Sequence, residues 1–209
     1  MNLVLCVATQ LESTILRQEL HDAPGVRIIH TGVGPVNAAH ALTLAIAASK
    51  PAQIIVCGIG GAYPSSGLKV GDVACADVEI YGDLGAQSPT GFLDMKALGF
   101  AVIDTQPPLF NELPMQLLPI ERRVRFVTVS TCTGIDAVAR EIESRTGGVI
   151  ENMEGAAIAH VARLHDVPAG EVRGISNIVT NRDPRTWRLR EASEAAQHAV
   201  LNWIKALQQ

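Results

Sequence analysis

The sequence predicts an α/β fold in which a mostly parallel sheet carries helices on both faces. Short apolar runs alternate along the chain with segments whose apolar residues recur every three or four positions, and this alternation of strand and helix patterns is typical of such a sheet. The strand-like runs are continuously apolar, as expected for strands buried on both faces. With 209 residues, 47% of them hydrophobic, the chain can bury a core without disulfides or metals. We expect one domain over residues 1–209.

Charge and composition favour a small ligand over a macromolecular partner. The formal net charge is −4, the sequence pI is about 5.8 and no basic run is present, so nucleic acid and anionic membrane surfaces are poor candidate partners. No stretch approaches the roughly 18 apolar residues that a membrane-spanning helix needs. Metal-ligand and cofactor motifs are absent from the sequence, so we expect neither a metal nor a cofactor.

The four cysteines, Cys6, Cys57, Cys75 and Cys132, lie in apolar runs and show neither CxxC nor Cys/His ligand spacing. We interpret them as small core residues of a protein from a reducing cytoplasm. The apolar N-terminal segment is only about seven residues long and no basic region precedes it, so it predicts a first strand rather than an export signal.

The first third of the chain predicts three strands, at 3–8, 26–30 and 53–57, and two helices, at 11–20 and 36–49. Between the second strand and the second helix stands G-x-G-x-x-N, with Asn37 where a dinucleotide fingerprint has a third glycine or alanine. No acidic residue closes the next strand, and we therefore reject an NAD site. Gly58, Gly60 and Gly61 predict a place where backbone N–H groups can approach a ligand closely, and a plain tight turn is the alternative interpretation.

The rest of the chain continues the alternation around one long excursion. Residues 82–99 are polar and glycine-rich, and a loop of this length often covers a site. The remaining predicted elements are strands at 72–81, 125–130 and 171–179, a short helix between prolines at 107–118, and helices at 136–145, 153–165 and 187–207. The strand at 125–130 ends in small hydroxyl residues, Ser130, Thr131 and Thr133.

Polar residues stand at several predicted strand and helix ends, where ligands bind in α/β proteins. Glu12 and Glu154 lie in predicted first helical turns, where the helix dipole favours a carboxylate. Arg173, Ser176 and Asn177 belong to a predicted buried strand, which carries such groups only when they have partners. Taken singly, each residue also suits a structural role, as a helix-start charge or, for Asn177, as a strand-end turn former.

Several separated segments resemble the nucleoside phosphorylase and nucleosidase superfamily. They are LVLCVATQLE, CGIGGAYPSSGLKVGD, NMEGAAIAHVA and RGISN, and the resemblance covers nearly the whole chain. Within the superfamily, the small size, ENMEGAA, RGISN and NRDPRTW are most similar to the futalosine hydrolase family of the alternative menaquinone pathway. The methylthioadenosine and adenosylhomocysteine nucleosidases are also similar, but they carry Asp where this chain has Asn177 and Glu where it has Asn152.

The resemblance implies a three-layer α/β/α sandwich with a central mixed sheet, a homodimer or homotetramer, and hydrolysis of the N-ribosidic bond of futalosine with release of hypoxanthine. Glu12 would be the base that activates water, Met153 and Glu154 would hold the ribose, and Asn177 would bind the purine leaving group. Trp187 would lie over the 5′ side of the nucleoside. The other implied substrate contacts are Gly58, Ile59, Gly60, Thr131, Thr133, Arg173 and Ser176.

Three alternatives stay open at this stage. A methylthioadenosine, adenosylhomocysteine or aminofutalosine nucleosidase would release adenine instead. A phosphorylase would need a phosphate site near residues 32–37, where the sequence has no arginine. A non-catalytic nucleoside-binding protein would keep the fold and Glu154 but have no use for Glu12. The GxSxG, HExxH and P-loop patterns are absent, which argues against hydrolases and ATPases built on them.

Overall fold

The computed structural model describes residues 2–207, which form ten strands, six α-helices and two short 3₁₀ segments. The strands are β1 (Leu3–Val7), β2 (Val26–His30), β3 (Gln53–Ala62), β4 (Val73–Tyr81), β5 (Gly85–Ser88), β6 (Gly91–Asp94), β7 (Glu112–Pro114), β8 (Arg123–Thr128), β9 (Ile150–Asn152) and β10 (Ala169–Ile178). The helices are α1 (Thr14–Leu20), α2 (Pro35–Ala48), α3 (Met95–Leu98), α4 (Asp136–Thr146), α5 (Gly155–Leu164) and α6 (Leu189–Leu207), with 3₁₀ turns at Leu11–Ser13 and Pro184–Thr186. Within the described range, no helix is long and apolar enough to span a bilayer.

Eight of the strands form one mixed sheet that closes on itself. The strand order is β2-β1-β3-β9-β8-β4-β10, with β7 beside β4, and β10 pairs with β3 as well as with β4. Parallel pairings outnumber antiparallel ones by five to three, which confirms the mixed, mostly parallel sheet. The closure was not predicted. It arises because β10 pairs with β3 over its whole length and with β4 only at Val172–Gly174.

Helices cover both faces of the sheet, as the sequence predicted. In β1 every side chain is buried, and successive side chains point to opposite faces. Val4 and Cys6 pack into the core that contains α2 and α5, whereas Leu3, Leu5 and Val7 pack into the core that contains α1 and α6. Burial of each aliphatic side chain contributes roughly 1.5–3 kcal/mol, so β1 is held firmly between two helical layers.

The glycines at 58, 60 and 61 lie in a strand, so the alternative of a plain tight turn is wrong. β3 continues through them to Ala62 because β10 pairs with it along this stretch. The absence of a side chain at Gly58 instead allows other side chains to lie close to the backbone of the strand. A Cβ on Gly58 would lie 2.5 Å from Nη1 of Arg173 and 2.6 Å from Oε1 of Glu12, so glycine at this position lets two charged groups pack against the strand.

The predicted helix at 107–118 is also wrong. Its central residues form the edge strand β7, which pairs antiparallel with β4, since Pro114 inside the segment removes an intrahelical N–H donor and its ring clashes with the preceding helical turn. The excursion at 82–99 folds into the hairpin β5–β6 followed by α3. The short strand β9 was not predicted, because three residues carry no clear period.

Candidate active site

A cavity of about 320 Å³ opens where β1, β3 and β10, which run parallel to one another, reach their carboxyl ends. Parallel strands bring their carboxyl ends to one edge of a sheet, and chain segments that are far apart in sequence meet there. Nine of the twelve predicted site residues line the cavity: Glu12, Ile59, Gly60, Met153, Glu154, Arg173, Ser176, Asn177 and Trp187.

Arg173 forms the centre of the site. Its side chain is only 2% exposed, and its guanidinium donates at three positions: Nε to Oε1 of Glu171 at 2.7 Å, Nη1 to the carbonyl of Ile59 at 3.0 Å, and Nη2 to Oε2 of Glu154 at 3.2 Å. Burial alone would lower the pKa of Arg173, but the surrounding carboxylates, Glu171 first, raise it above its ordinary value. The group is therefore a fixed cation held in a single orientation.

Glu12 lies in the 3₁₀ turn just after β1 and is 3% exposed. Its Oε2 accepts from the backbone N–H and the hydroxyl of Thr9 at 2.9 and 2.8 Å, and its Oε1 accepts from the backbone N–H of Ile59 at 3.0 Å. Three donors therefore face the two oxygens of Glu12 and hold the side chain in one orientation. The carboxylate is thus fixed at the cavity wall with a lone pair left for a further donor.

Glu154 stands directly before α5, as its N-cap residue, and not within the first helical turn as predicted. Its Oε1 accepts from the backbone N–H of Gly34 at 3.1 Å, opposite the contact of Oε2 with Arg173. Other side chains satisfy the first N–H groups of the helix: Oδ1 of Asn152 accepts from Glu154 and Gly155, and Oγ1 of Thr128 accepts from Ala156. The Glu154 carboxylate is therefore not needed as a cap and faces the cavity.

Asn177 lies one residue before the end of β10 and is partly exposed. Its Oδ1 accepts from the hydroxyl of Ser176 at 2.7 Å, and its Nδ2 donates to the carbonyl of Ile178 at 3.2 Å. A primary amide has two N–H groups and two lone pairs. The protein uses one of each, so Asn177 has one donor and one acceptor available to a ligand.

Trp187 lines the cavity from the stretch between the 3₁₀ turn at 184–186 and α6, two residues before the helix in which it was predicted. The guanidinium of Arg182 stacks on its ring at 4.6 Å from the centroid, and Nη1 of Arg182 donates to Sγ of Cys132 at 3.5 Å. Cys132 is exposed and lines the cavity, so the prediction that all four cysteines are core residues is wrong for this one.

Thr131 and Thr133 line a neighbouring cavity of about 560 Å³, which shares Cys132 with the first. The N–H of Thr133 donates to Oε1 of Glu151 at 2.9 Å, while its buried Oγ1 has no partner within residues 2–207. The hairpin β5–β6 forms part of this second cavity through Gly85, Gln87 and Phe92. The excursion at 82–99 thus covers the second cavity and not the first.

Three predicted residues, Gly58, Thr131 and Thr133, lie outside the first cavity. Gly58 is behind the wall, packed against Arg173 and Glu12. Sequence reasoning missed Arg182 and Glu171. A charged residue in the apolar run that forms β10 is a signal that could have identified Glu171, whereas Arg182 stands in a polar loop that gives no such signal. Within the described residues, no group of three or more His, Cys, Asp or Glu side chains is arranged to hold a metal ion.

Comparison with known proteins places these features in a family. The family model described as the phosphorylase superfamily matches residues 11–209. A futalosine hydrolase from Streptomyces coelicolor is 37% identical over 192 residues, which cover 87% of this chain and 80% of that protein. A futalosine hydrolase from Acidothermus cellulolyticus is 37% identical over 180 residues, which cover 82% of this chain and 72% of that protein.

Solved structures agree on the fold. A 5′-methylthioadenosine/S-adenosylhomocysteine nucleosidase from S. pneumoniae, bound to the transition-state inhibitor MT-ImmA, superposes with a TM-score of 0.82 and 22% identity, covering 99% of this chain and all of that one. At this identity the likeness concerns the fold alone. The family match and the two relatives show that the chain belongs to the phosphorylase superfamily and, within it, to the futalosine hydrolase family.

Proposed function

We propose that this chain hydrolyses the N-ribosidic bond of futalosine and releases hypoxanthine. The observation that carries the proposal is the meeting of Glu12, Glu154 and Asn177 in one cavity around Arg173. The family membership supports it, since the relatives of 37% identity are futalosine hydrolases. In this proposal the purine and the ribose of the substrate occupy the cavity of about 320 Å³.

The arrangement suits the charges that develop when an N-ribosidic bond breaks. Positive charge builds up on the ribose and negative charge on the purine, so a fixed carboxylate beside the ribose stabilises the transition state more than the ground state. Glu154 provides that carboxylate and can accept from the ribose hydroxyls. Glu12 is the base that takes a proton from the attacking water, a role that contributes typically ~10²–10⁴-fold.

Asn177 serves the purine end. Its free N–H can donate to O6 of hypoxanthine and its free lone pair can accept from a proton at N7. An amide is not an acid, so in this proposal the N7 proton arrives through water. Adenine fits less well because its N6 amino group would face the amide donor and leave a buried polar group unsatisfied, at a cost of roughly 1–3 kcal/mol. The proposed leaving group is therefore a 6-oxopurine.

One experiment separates this proposal from the alternatives. Purified protein is incubated with futalosine, aminofutalosine, inosine and methylthioadenosine, with and without phosphate, and the released bases are measured by chromatography. Hypoxanthine release from futalosine, independent of phosphate, is the expected result. Preferred adenine release would identify an aminofutalosine or methylthioadenosine/adenosylhomocysteine nucleosidase, phosphate dependence a phosphorylase, and binding without any release a nucleoside-binding protein.

We further propose that the chain acts in the cytoplasm as a homodimer or homotetramer, as the resemblance implies. Size-exclusion chromatography with light scattering distinguishes the two assemblies from a monomer.

A further inference from the structure

Two glutamates that do not line the cavity lie side by side behind Arg173. Glu79 comes from β4 and Glu171 from β10, and both side chains are completely buried. Buried carboxylates are costly unless they are paired or hydrogen-bonded. Two buried carboxylates next to each other must therefore be stabilised by specific partners.

The hydrogen bonds of the two carboxyl groups favour a proton shared between them. Oε1 of Glu79 accepts from Nδ2 of Asn152 at 2.7 Å, and Oε2 lies 2.7 Å from the hydroxyl of Thr128, which is also 3.0 Å from Oδ1 of Asn152 and has one proton to donate. Oε1 of Glu171 accepts from Arg173, whereas its Oε2 has no donor among the described residues. This oxygen and Oε1 of Glu79 both lie 2.2 Å from the position that a Cβ on Gly155 would take, so the two oxygens are at most about 4.4 Å apart.

Two carboxyl groups this close in a dry site do not both ionise. Burial first, and then the charge and hydrogen bond of Glu171, raise the pKa of Glu79 well above its ordinary value. A single proton between Glu79 and Glu171 supplies the hydrogen bond that Oε2 of Glu171 otherwise lacks. The pair then carries one negative charge, which lies against Nε of Arg173.

We propose that Glu79 and Glu171 are positioning residues that, as a pair holding one proton, fix the guanidinium of Arg173 and through it the ribose-binding carboxylate of Glu154. The inference rests on the proposed function, because it assigns the pair to the ribose side of the same reaction. The chain of contacts is continuous: Glu79 to Glu171, Glu171 to Nε of Arg173, and Nη2 of Arg173 to Glu154.

A purely structural role explains this arrangement poorly. Replacing a buried ion cluster with apolar residues is often neutral or stabilising, so such a cluster is weak evidence for stability. Here the cluster also excludes any side chain at Gly155, where α5 begins directly after Glu154. Both features hold Glu154 in place, which is what a reaction that depends on its orientation requires.

The test compares a ribonucleoside with its 2′,3′-dideoxy analogue, which offers Glu154 no hydroxyl groups. In Glu171→Gln the charge beside Arg173 is lost while the shape is kept. We expect kcat/KM for the ribonucleoside to fall about tenfold to 100-fold, the range typical of a misplaced catalytic group, and kcat/KM for the dideoxy analogue to change less than threefold. Glu79→Gln should lose less than Glu171→Gln, because that variant keeps a neutral partner and leaves the contact between Glu171 and Arg173 intact.

Glu143→Gln is the matched control, since Glu143 contacts the surface residue Ser65 and lines neither of the two cavities of the candidate site. Equal losses on both substrates in Glu171→Gln, or retention of at least half of the wild-type kcat/KM, would overturn the positioning role. Equal losses in Glu79→Gln and Glu171→Gln would overturn the shared proton, and failure of both variants to fold would make the pair a folding element. A wild-type protein that cleaves no nucleoside would instead refute the proposed function.

Discussion

One end of the cavity is formed by Glu12, Glu154 and Arg173, and we call it the charged end. Each of these residues is at most 5% exposed, and each carboxylate oxygen accepts at least one hydrogen bond. At the end formed by Asn177 and Trp187, which we call the neutral end, the side chains are uncharged and partly exposed. The charged groups are therefore fixed by their hydrogen bonds, whereas the neutral end keeps a donor and an acceptor that a ligand can use.

This difference assigns different consequences to substitutions at the two ends. Fixed charges in a dry site stabilise the cationic ribose without reorganising during the reaction, and every nucleoside substrate shares that ribose. Substitutions at the charged end should lower turnover for all substrates. The neutral end meets the parts in which substrates differ, so substitutions there should change the ratio between substrates.

Among substitutions at the charged end, Glu12→Gln should lower activity the most. Glutamine cannot take a proton from water, so we expect kcat to fall by ~10²–10⁴-fold on every substrate that the wild type cleaves. Because donors face both oxygens of Glu12, an amide –NH₂ would meet a donor in either orientation, and a small decrease in Tm is expected. Steady-state kinetics with a Tm measurement checks both. A folded variant with half of the wild-type kcat would show that another group is the base.

Glu154→Ala should lower activity nearly as much as Glu12→Gln. It removes the acceptor for the ribose hydroxyls, each charge-assisted bond being worth roughly 1.5–3 kcal/mol, and it leaves Nη2 of Arg173 without its carboxylate. We expect kcat/KM to fall at least about 100-fold for the ribonucleoside. A 2′,3′-dideoxy nucleoside tests whether Glu154 binds the ribose hydroxyl groups, since that analogue should be a poor substrate for the wild type. If the wild type cleaved both substrates at equal rates, Glu154 would not bind the ribose hydroxyl groups.

The sequence predicted the parts of the fold that depend on local patterns. Buried apolar runs predicted the strands that end at the candidate site. The resemblance to the family, and not the local pattern, predicted site roles for Glu12, Glu154 and Asn177, and all three line the cavity. It could not predict that β10 pairs with both β3 and β4, because strand pairing depends on contacts far apart in sequence. The same reason explains why the sequence left a tight turn at 58–61 as an alternative, where Gly58 instead allows close packing of Arg173 against the strand.

The site was predictable at the level of residues but not of contacts. Arg173 was recognised as a polar residue that needs partners, yet Glu171 was not named among them, although it lies only two positions earlier on the same face of β10. The placement of Thr131 and Thr133 in a second cavity depends on the path of the chain after β8. No periodicity in the sequence describes such a path.

Asn177→Asp should change the neutral end in a selective way. A carboxylate would accept from N6 and N7 of adenine together, whereas it would repel O6 of hypoxanthine. We expect the ratio of kcat/KM for futalosine to that for aminofutalosine to fall by about fivefold to 150-fold, corresponding to roughly 1–3 kcal/mol. Asn177→Ala serves as the control, since it removes the amide without adding a charge. A ratio that stays the same in Asn177→Asp would mean that another group selects the purine.

Trp187→Ala should have the smallest effect and the narrowest one. If the ring lies against an aromatic 5′ substituent, stacking contributes about 0.5–1.5 kcal/mol beyond burial, so KM for futalosine should rise about twofold to twelvefold. Inosine has no aryl group at that position, and its kinetics should change less. Arg182→Met removes the cation that stacks on Trp187 and so tests whether the ring acts alone. Unchanged KM values in this variant would assign the binding of the 5′ substituent to the tryptophan ring. An unchanged KM for futalosine in a folded Trp187→Ala protein would leave the ring a packing role only, and the neutral end would then select substrates through the purine alone.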